Sequence, residues 1–464
     1  MLKLMPQDKV RKSLKYSVLD GAFFSAMVGF GESFFAAFAV FLKATSVQIG
    51  ILDALPKTLG SISQLLSNWL IRSLKSRKKL VAAGAFIEGL FYIPIALVYF
   101  FGELKIYYLI AFVSIYWILG TIITPAWTSW IGDLTDGVNR GNYFGRRNKV
   151  AGVVSLASLF AAGYILQHFR EKEYIGFVII FSIALIARMM SFYYLTKKFE
   201  PEFRIEKEEI GLLGFLSEAR KTQFGIFSIF MALMNFSVYF TAPFFAPYLL
   251  RDAKLDYFSF TAVIGIGMLA KLLSMPVWGK AADRWGNRKI LALSAFTMPI
   301  VPLLFVFSMN LGWLVAVQIY SGIVWAGFEL AGFNFILDTT TQRSRATLVA
   351  YYNVLNGVAI LVGALIAGMI IKHNSLFSSS FYLVFIISFF LRVLVSASFV
   401  PLLKEKRRVE DIAYYKLFFR IMTKLPPMDA LYSIAVFPAK RLAKSFDHTR
   451  RLAEGKVPFI RRRK

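Results

Sequence analysis

The sequence predicts an all-α membrane protein with twelve transmembrane helices in two pseudo-symmetric six-helix bundles. Three observations predict it. Residues AVILMFWYC make up 57% of the 464 residues and charged residues only 17%, where about 25% charged is usual in soluble domains. The apolar residues fall in runs of about 20 or more, the length needed to span a bilayer. The second half of the chain repeats the first at a spacing near 205 residues.

Taken in order, the runs place helices near 16–42, 47–71, 79–101, 106–133, 144–167 and 175–196, then 222–249, 257–279, 290–309, 311–337, 347–371 and 379–402. The fourth and tenth are long enough to tilt. Odd-numbered loops carry few cations, such as Lys43, Lys105, Arg170 and Lys172. Even-numbered loops carry Arg72, Lys75, Arg77, Lys78 and Lys79, then Arg140, Arg146, Arg147 and Lys149, then Lys280, Arg284, Arg288 and Lys289. This bias places both termini and the even loops in the cytoplasm, with the chain in the cell membrane.

The repeat is explicit between 133–168 and 338–373, with eleven identities in thirty-six positions. Asp133 meets Asp338, Arg140 meets Arg345, Gly163 meets Gly368 and His168 meets His373. Arg188 and Arg392 pair at a spacing of 204. Ala85-Phe86 and Ala295-Phe296 match once a short insertion is allowed in the second half. The expected organisation is therefore 1–196, a linker at 197–221, a second half at 222–402 and a tail at 403–464. Parallel repeats of this kind hold substrate near the bilayer midplane between them.

Several function classes are excluded or disfavoured. The formal charge of +27 sits in clusters between apolar runs rather than on a polar domain, so nucleic acid is not an expected partner. There are no cysteines and only three histidines, so a disulfide, a thiolate metal site or a Cys nucleophile is excluded. His168 and His373 fall near external helix ends, and no metal is expected. HExxH, Walker and GxSxG motifs are absent. The start, MLKLMPQDKVRKSLK, lacks the apolar core of a signal peptide. No enzyme activity and no cofactor are expected.

The loop after the eighth helix reads WGKAADRWGNRK from Trp278 to Lys289. Gly279, Asp283, Arg284, Gly286, Arg288 and Lys289 fit G-x-x-x-D-R-x-G-x-R-[RK], and on these residues the chain resembles the major facilitator superfamily. Asp133, Arg140, Gly141 and Gly145 after the fourth helix are similar to that family too. The resemblance covers 1–402 and implies a cytoplasmic latch involving Asp283, Asp133, Asp338, Arg140 and Arg345. Gly279 would permit close helix approach, and Asp283 would accept from a basic group or a helix N-terminus. In the first half Trp69 replaces the first Gly and Ser73 replaces the Asp. The drug–proton antiporter pattern is weak, since 106–133 has no Arg and the fifth helix lacks a Gly-Pro motif.

Ionisable residues inside a bilayer cost a few kcal/mol on insertion scales and face a partner or an aqueous space. They are Asp20, Glu32, Asp53, Lys57, Glu88, Lys271 and Glu329. The resemblance implies that the first, fourth, seventh and tenth helices line the substrate path. Glu32 and Glu329 are then the candidate proton sites, and Glu329 has no cation within one turn in sequence. Trp127, Trp130, Asn235, Tyr239, Trp325 and Asn334 are candidate substrate contacts. Asp53 and Lys57, four apart, are expected to pair. Asp20 and Lys271 are expected near the cytoplasmic side, and Arg188 and Arg392 are expected to snorkel towards it.

The tail carries 17 Lys and Arg against 6 Asp and Glu. Lys416, Arg420 and Lys424 recur along YYKLFFRIMTKL opposite Leu417, Phe418, Ile421 and Met422, which reads as a helix on an anionic lipid surface. A basic tail that contacts RNA or a protein is the alternative. The expected function is a monomeric secondary transporter that moves a small solute by alternating access with proton coupling. Facilitated diffusion and drug efflux are alternatives, followed by a lipid scramblase or a scaffold.

Overall fold

The computed structural model describes residues 7–135, 140–202, 214–215, 219–341, 345–407 and 409–422. Twelve helical segments run in series among them: α1 (Gln7–Phe41), α2 (46–74), α3 (Arg77–Phe100), α4 (Gly102–Leu134), α5 (Arg140–His168) and α6 (Arg170–Lys197). They continue as α7 (Gln223–Asp252), α8 (Tyr257–Trp285), α9 (Asn287–Phe307), α10 (Leu311–Thr339), α11 (Arg345–His373) and α12 (Tyr382–Leu402). A short α13 (Tyr414–Met422) follows.

Eleven of the twelve expected segments are long and apolar enough to cross a membrane. The exception is α2. It is helical from Ser46 to Ser63 and again from Ser67 to Leu74, but it carries Asp53, Lys57, Gln64 and several hydroxyls. Its polarity is explained by its partners, since it packs along α11 rather than standing alone.

Two helices are broken at matching depths. α1 breaks at Gly31 into a 3-10 turn at Glu32–Phe34. A Cβ at Gly31 would lie 2.2 Å from the Tyr92 hydroxyl, so only glycine admits that contact. α7 breaks after Val238 into a 3-10 turn at Ala242–Phe244, where Pro243 and Pro247 supply no amide to continue the ladder. Interruptions of this kind place polar groups at membrane depth.

The two sets of six meet along α2–α11 and α5–α8. Small residues bring the backbones close. A Cβ at Gly163 would lie 2.1 Å from Thr261 Oγ1, and one at Gly357 2.3 Å from Ser61 Oγ. Thr58 Oγ1 donates to the Gly357 carbonyl at 2.7 Å and Asn353 Nδ2 to Gln64 Oε1 at 2.9 Å. On the face away from the termini, the ends of α1 and α7 touch, and Arg251 Nη2 donates to the Ala44 carbonyl at 2.6 Å.

On the basic face, the first residues of the linker fold back onto α1–α6. Glu200 accepts from the Arg77 amide and the Ser76 hydroxyl, both at 2.6 Å, and so caps α3. Trp130 Nε1 donates to the Phe199 carbonyl at 2.8 Å. The expected tail helix is present as α13, but Leu417 and Ile421 are fully buried against the α8–α9 end. Its apolar face is thus occupied by protein. Lys424 and the rest of the tail lie outside the described residues.

Candidate functional site

The break in α1 turns Glu32 towards α4. Tyr116 Oη donates to Glu32 Oε1 at 2.6 Å, and Tyr92 Oη donates to Tyr116 at 3.3 Å. Tyr116 also faces the Glu88 carboxylate. Glu88 is buried in an ion pair with Arg188, whose Nε donates to Glu88 Oε2 at 3.1 Å. Arg188 Nη1 continues to Ser191 Oγ at 3.1 Å, and Ser191 to Asp20 Oδ1 at 2.8 Å. Lys198 Nζ closes the row on Asp20 Oδ2 at 2.8 Å. A polar chain thus runs from Glu32 to the basic face through an otherwise apolar bundle. Arg188 does not snorkel, because its counter-ion lies on α3 at its own depth.

A second cluster lies where α2 meets α7. Lys57 Nζ donates to Asp53 Oδ1 at 2.8 Å and to Tyr239 Oη at 3.0 Å, and stands over the Trp117 ring at 5.8 Å. The expected Asp53–Lys57 pair is therefore present, and Tyr239 joins it at the α7 break. Asn235 Nδ2 donates to Asn356 Oδ1 at 2.5 Å, which ties α7 to α11.

Glu329 is paired, contrary to its sequence neighbourhood. Lys271 Nζ lies 2.6 Å from Glu329 Oε2 across α8 and α10. A Cβ at Gly322 would lie 2.2 Å from the Gly267 carbonyl, so the two backbones approach closely enough for the pair to form. Both side chains keep exposure, 31% for Lys271 and 43% for Glu329. Lys271 is the partner of a mid-helix acid, rather than a group at the basic end. Trp325 packs edge-on to Phe328, with ring centroids 5.9 Å apart.

The basic-face loops hold other expected residues. Asp133 accepts from Arg77 Nη1 at 2.7 Å, and its counterpart Asp338 accepts from Asn287 Nδ2 at 2.7 Å. Arg77 and Asn287 each open the third helix of their set, so the contact repeats with a change of donor. Asn334 donates to Asn287 Oδ1 at 3.1 Å and so joins this brace. Trp127 sits under Arg147, 4.6 Å from its centroid, and also serves the basic end. Arg345 covers the end of α10, donating to Thr340 Oγ1 at 3.0 Å. The Arg140 side chain lies outside the described residues.

The WGKAADRWGNRK loop departs from expectation. A Cβ at Gly279 would meet only Leu330 at 3.9 Å, so no close helix approach depends on it. Asp283, 77% exposed, lies 3.9 Å from Arg407, the basic group of the two expected partners. Gly286 does need to be glycine: its φ is +89° and a Cβ would lie 2.5 Å from Glu405 Oε2. Arg284 pairs with Glu410 at 2.7 Å, Arg288 Nε donates to the Leu403 carbonyl at 2.6 Å, and Lys289 pairs with Asp411. In this structure the loop grips the segment after α12.

Sequence reasoning passed over Tyr116 and Tyr92, which look like any aromatic in an apolar helix. It noted Glu88 without a role. The available signal was two opposite charges, Glu88 and Arg188, inside apolar helices that must find each other. Arg392, the counterpart of Arg188, is also buried rather than snorkelling; it donates to Thr241 Oγ1 at 2.8 Å and to the Met298 carbonyl at 3.4 Å.

The sequence pattern of the Major Facilitator Superfamily matches residues 21–267 and 225–439. Over 109 residues the chain is 26% identical to the efflux pump azaK of Aspergillus niger, covering 24% of this chain and 23% of that protein. Over 121 residues it is 30% identical to the tetracycline resistance protein, class B, of Escherichia coli, covering 25% of this chain and 30% of that protein. The chain thus spans less than a third of the length of either relative. In fold it is similar to a mutant of the nucleoside transporter NupG, with TM-score 0.66 and 16% identity over 85% of this chain and 100% of that one. It is equally similar to a D-xylose-proton symporter, with TM-score 0.66 and 13% identity over 86% of this chain and 99% of that one.

Proposed function

Because this chain belongs to the Major Facilitator Superfamily, we propose that it moves a small solute across the cytoplasmic membrane, driven by the proton gradient, with both termini in the cytoplasm. The observation that carries the proton coupling is Glu32. It sits in the break of α1, bound to a tyrosine hydroxyl, and makes no ion pair among the described residues. A carboxyl at membrane depth without a cation on it favours its neutral form and gains a charge only when water reaches it. Glu329 fits this role less well, because Lys271 compensates its charge in place.

Substrate contacts in this reading come from Tyr239, Asn235 and Trp325, with half-buried Lys57 and exposed Glu329 as nearby charges. The two bundles alternate by rocking about the α2–α11 and α5–α8 seams. The observed contact of the outer ends of α1 and α7 corresponds to the state closed to the outside.

The test is counterflow and gradient-driven uptake in proteoliposomes, with labelled sugars, amino acids, nucleosides and lipophilic cations as the screen. Glu32→Gln is expected to abolish gradient-driven accumulation and keep exchange, because Gln mimics the protonated acid. Full accumulation in that variant removes proton coupling from Glu32. Orientation is checked separately in this cysteine-free chain. Ser73→Cys should react with an impermeant maleimide only after cells are opened, and Glu103→Cys in intact cells; the reverse pattern overturns the topology.

A further inference from the structure

We propose that Glu32 and Glu88 form one proton-binding site, in which a single proton is shared between two carboxyls across the Tyr116 hydroxyl while Arg188 holds the pair in place. The site deepens the proton-coupled reading and rests on it only for the use made of the proton.

The first support is the hydrogen count at Tyr116. Its hydroxyl carries one hydrogen, which points to Glu32 at 2.6 Å, and it already receives the Tyr92 hydroxyl. Glu88 is its second carboxyl neighbour: one turn on from Tyr116, a Cβ at Gly120 would lie 2.8 Å from Glu88 Oε1. With both carboxyls ionised, one phenol hydrogen has to serve two anions. With one proton added, every contact has a donor: Glu88–OH to the phenol oxygen, and the phenol O–H to Glu32.

The second support is charge. The polar chain of α1, α3 and α6 contains Glu32, Glu88 and Asp20, against Arg188 and Lys198. Lys57, the next cation towards Glu32, is matched by Asp53. Arg147 adds a third base at the Asp20 end, beside Gly21, but Arg188 is paired with Glu88 and Lys198 with Asp20, so among the described residues Glu32 is the acid of this chain without an ion pair. A charge left without a partner in a buried site is strongly disfavoured, and protonation removes it.

The third support comes from the repeat. Arg392 occupies the place of Arg188, and Met298 the place of Glu88. Arg392 is buried on a threonine hydroxyl and a carbonyl, with no carboxylate among the described residues. Burying this arginine therefore does not require an acid. The first bundle nonetheless places two acids near one arginine and makes room for them. A Cβ at Gly120 would lie 2.8 Å from Glu88 Oε1, and one at Gly31 would strike Tyr92.

The transfer balances. Glu32, partly exposed at the break, takes a proton from water. The phenol O–H turns from Glu32 to Glu88, and the Glu32 O–H then passes its proton to the Tyr116 oxygen as the phenol passes its own to Glu88. One O–H bond breaks and one forms at each step, and the tyrosine ends neutral. Arg188 keeps its protons throughout and positions Glu88. Two interacting carboxyls of this kind titrate as a pair, not singly.

The experiment uses the full-length protein in lipid vesicles with dicyclohexylcarbodiimide, which attacks protonated buried carboxyls, followed by peptide mass spectrometry from pH 5 to 9. The expected result is one adduct per molecule, divided between Glu32 and Glu88 and lost as pH rises. Glu88→Gln removes the like charge, so the pH midpoint for labelling Glu32 should fall by about one unit or more. Tyr116→Phe conserves volume and should abolish the division, leaving the adduct on one carboxyl. If Glu88→Gln does not fold, labelling of Glu88 in Glu32→Gln reads the same coupling. Absence of adducts at every pH, two adducts that titrate independently, or an unmoved midpoint overturns the shared site. Correct labelling in a protein whose transport ignores the proton gradient leaves the site standing and overturns the coupling instead.

Discussion

Arg188 and Arg392 hold equivalent places in the two bundles, are both buried, and differ in what they leave behind when removed. Arg188 neutralises Glu88, which is itself buried. Arg188→Met should destabilise the protein by about 3–5 kcal/mol, the cost of orphaning a buried partner. Adding Glu88→Gln should recover much of it. Arg392→Met orphans no carboxylate and gives up only a threonine hydroxyl and a carbonyl, so it should cost clearly less. Thermal unfolding of the solubilised protein checks both; equal losses would show that the ion pair is not what holds α3 to α6. At this scale the sequence was legible as a set of buried charges and as the local pair of Asp53 with Lys57, but not as the pairs made between helices. Lys271 and Glu329 are 58 positions apart, and only the close approach of α8 and α10 at Gly267 and Gly322 brings them together.

Among the elements, α2 and the segment after α12 show why pattern reading stops where it does. α2 is too polar to pass as a span on composition because one of its faces serves α11 and Tyr239 rather than lipid. Period and length made a helix legible there, but not its partner. The tail helix was equally legible from its apolar and basic faces. What it lies on was not, since Leu417 and Ile421 suit a lipid surface or a protein groove alike. Here they are buried by the α8–α9 end, with Arg420 5.7 Å from the Trp285 ring centroid. Leu417→Ala or Ile421→Ala should therefore cost about 2–5 kcal/mol. Glu410→Ala, which breaks an exposed pair, should cost under about 1 kcal/mol. Limited proteolysis of the tail reads the difference, and early cleavage in Glu410→Ala alone would show that charge, not burial, holds the strap. Lys289 holds the Asp411 carboxyl below its ordinary value. That contact is present above the ordinary carboxylate range and is lost only as pH falls through the lowered value. Responses of the protein at roughly pH 5–8 therefore do not arise there.

For the whole molecule, the question is whether the two bundles move as the fold implies. The two-fold repeat and the basic face were legible in the sequence because membrane topology is written in charge and apolar length; the seams were not, since which helices of the two sets touch is settled by packing. The conformation was not, because it depends on contacts that exist in one state only. The bond from Arg251 to the Ala44 carbonyl joins the outer ends of α7 and α1, and rocking about the α2–α11 and α5–α8 seams has to break it. The chain has no cysteine, so Ala44→Cys with Arg251→Cys places the only two thiols on that contact. A short bifunctional thiol reagent should join them while the outer ends are closed. The joined protein should expose its substrate path to the basic face only. Counterflow should stop, as it requires both states, while substrate binding from the basic face persists. Cleaving a reducible linker should restore counterflow. The single variants treated with the same reagent are the control for modification itself. Undiminished counterflow in a fully joined protein would show that the outer ends of α1 and α7 do not part during transport, and would overturn rocking of the two bundles as the mechanism.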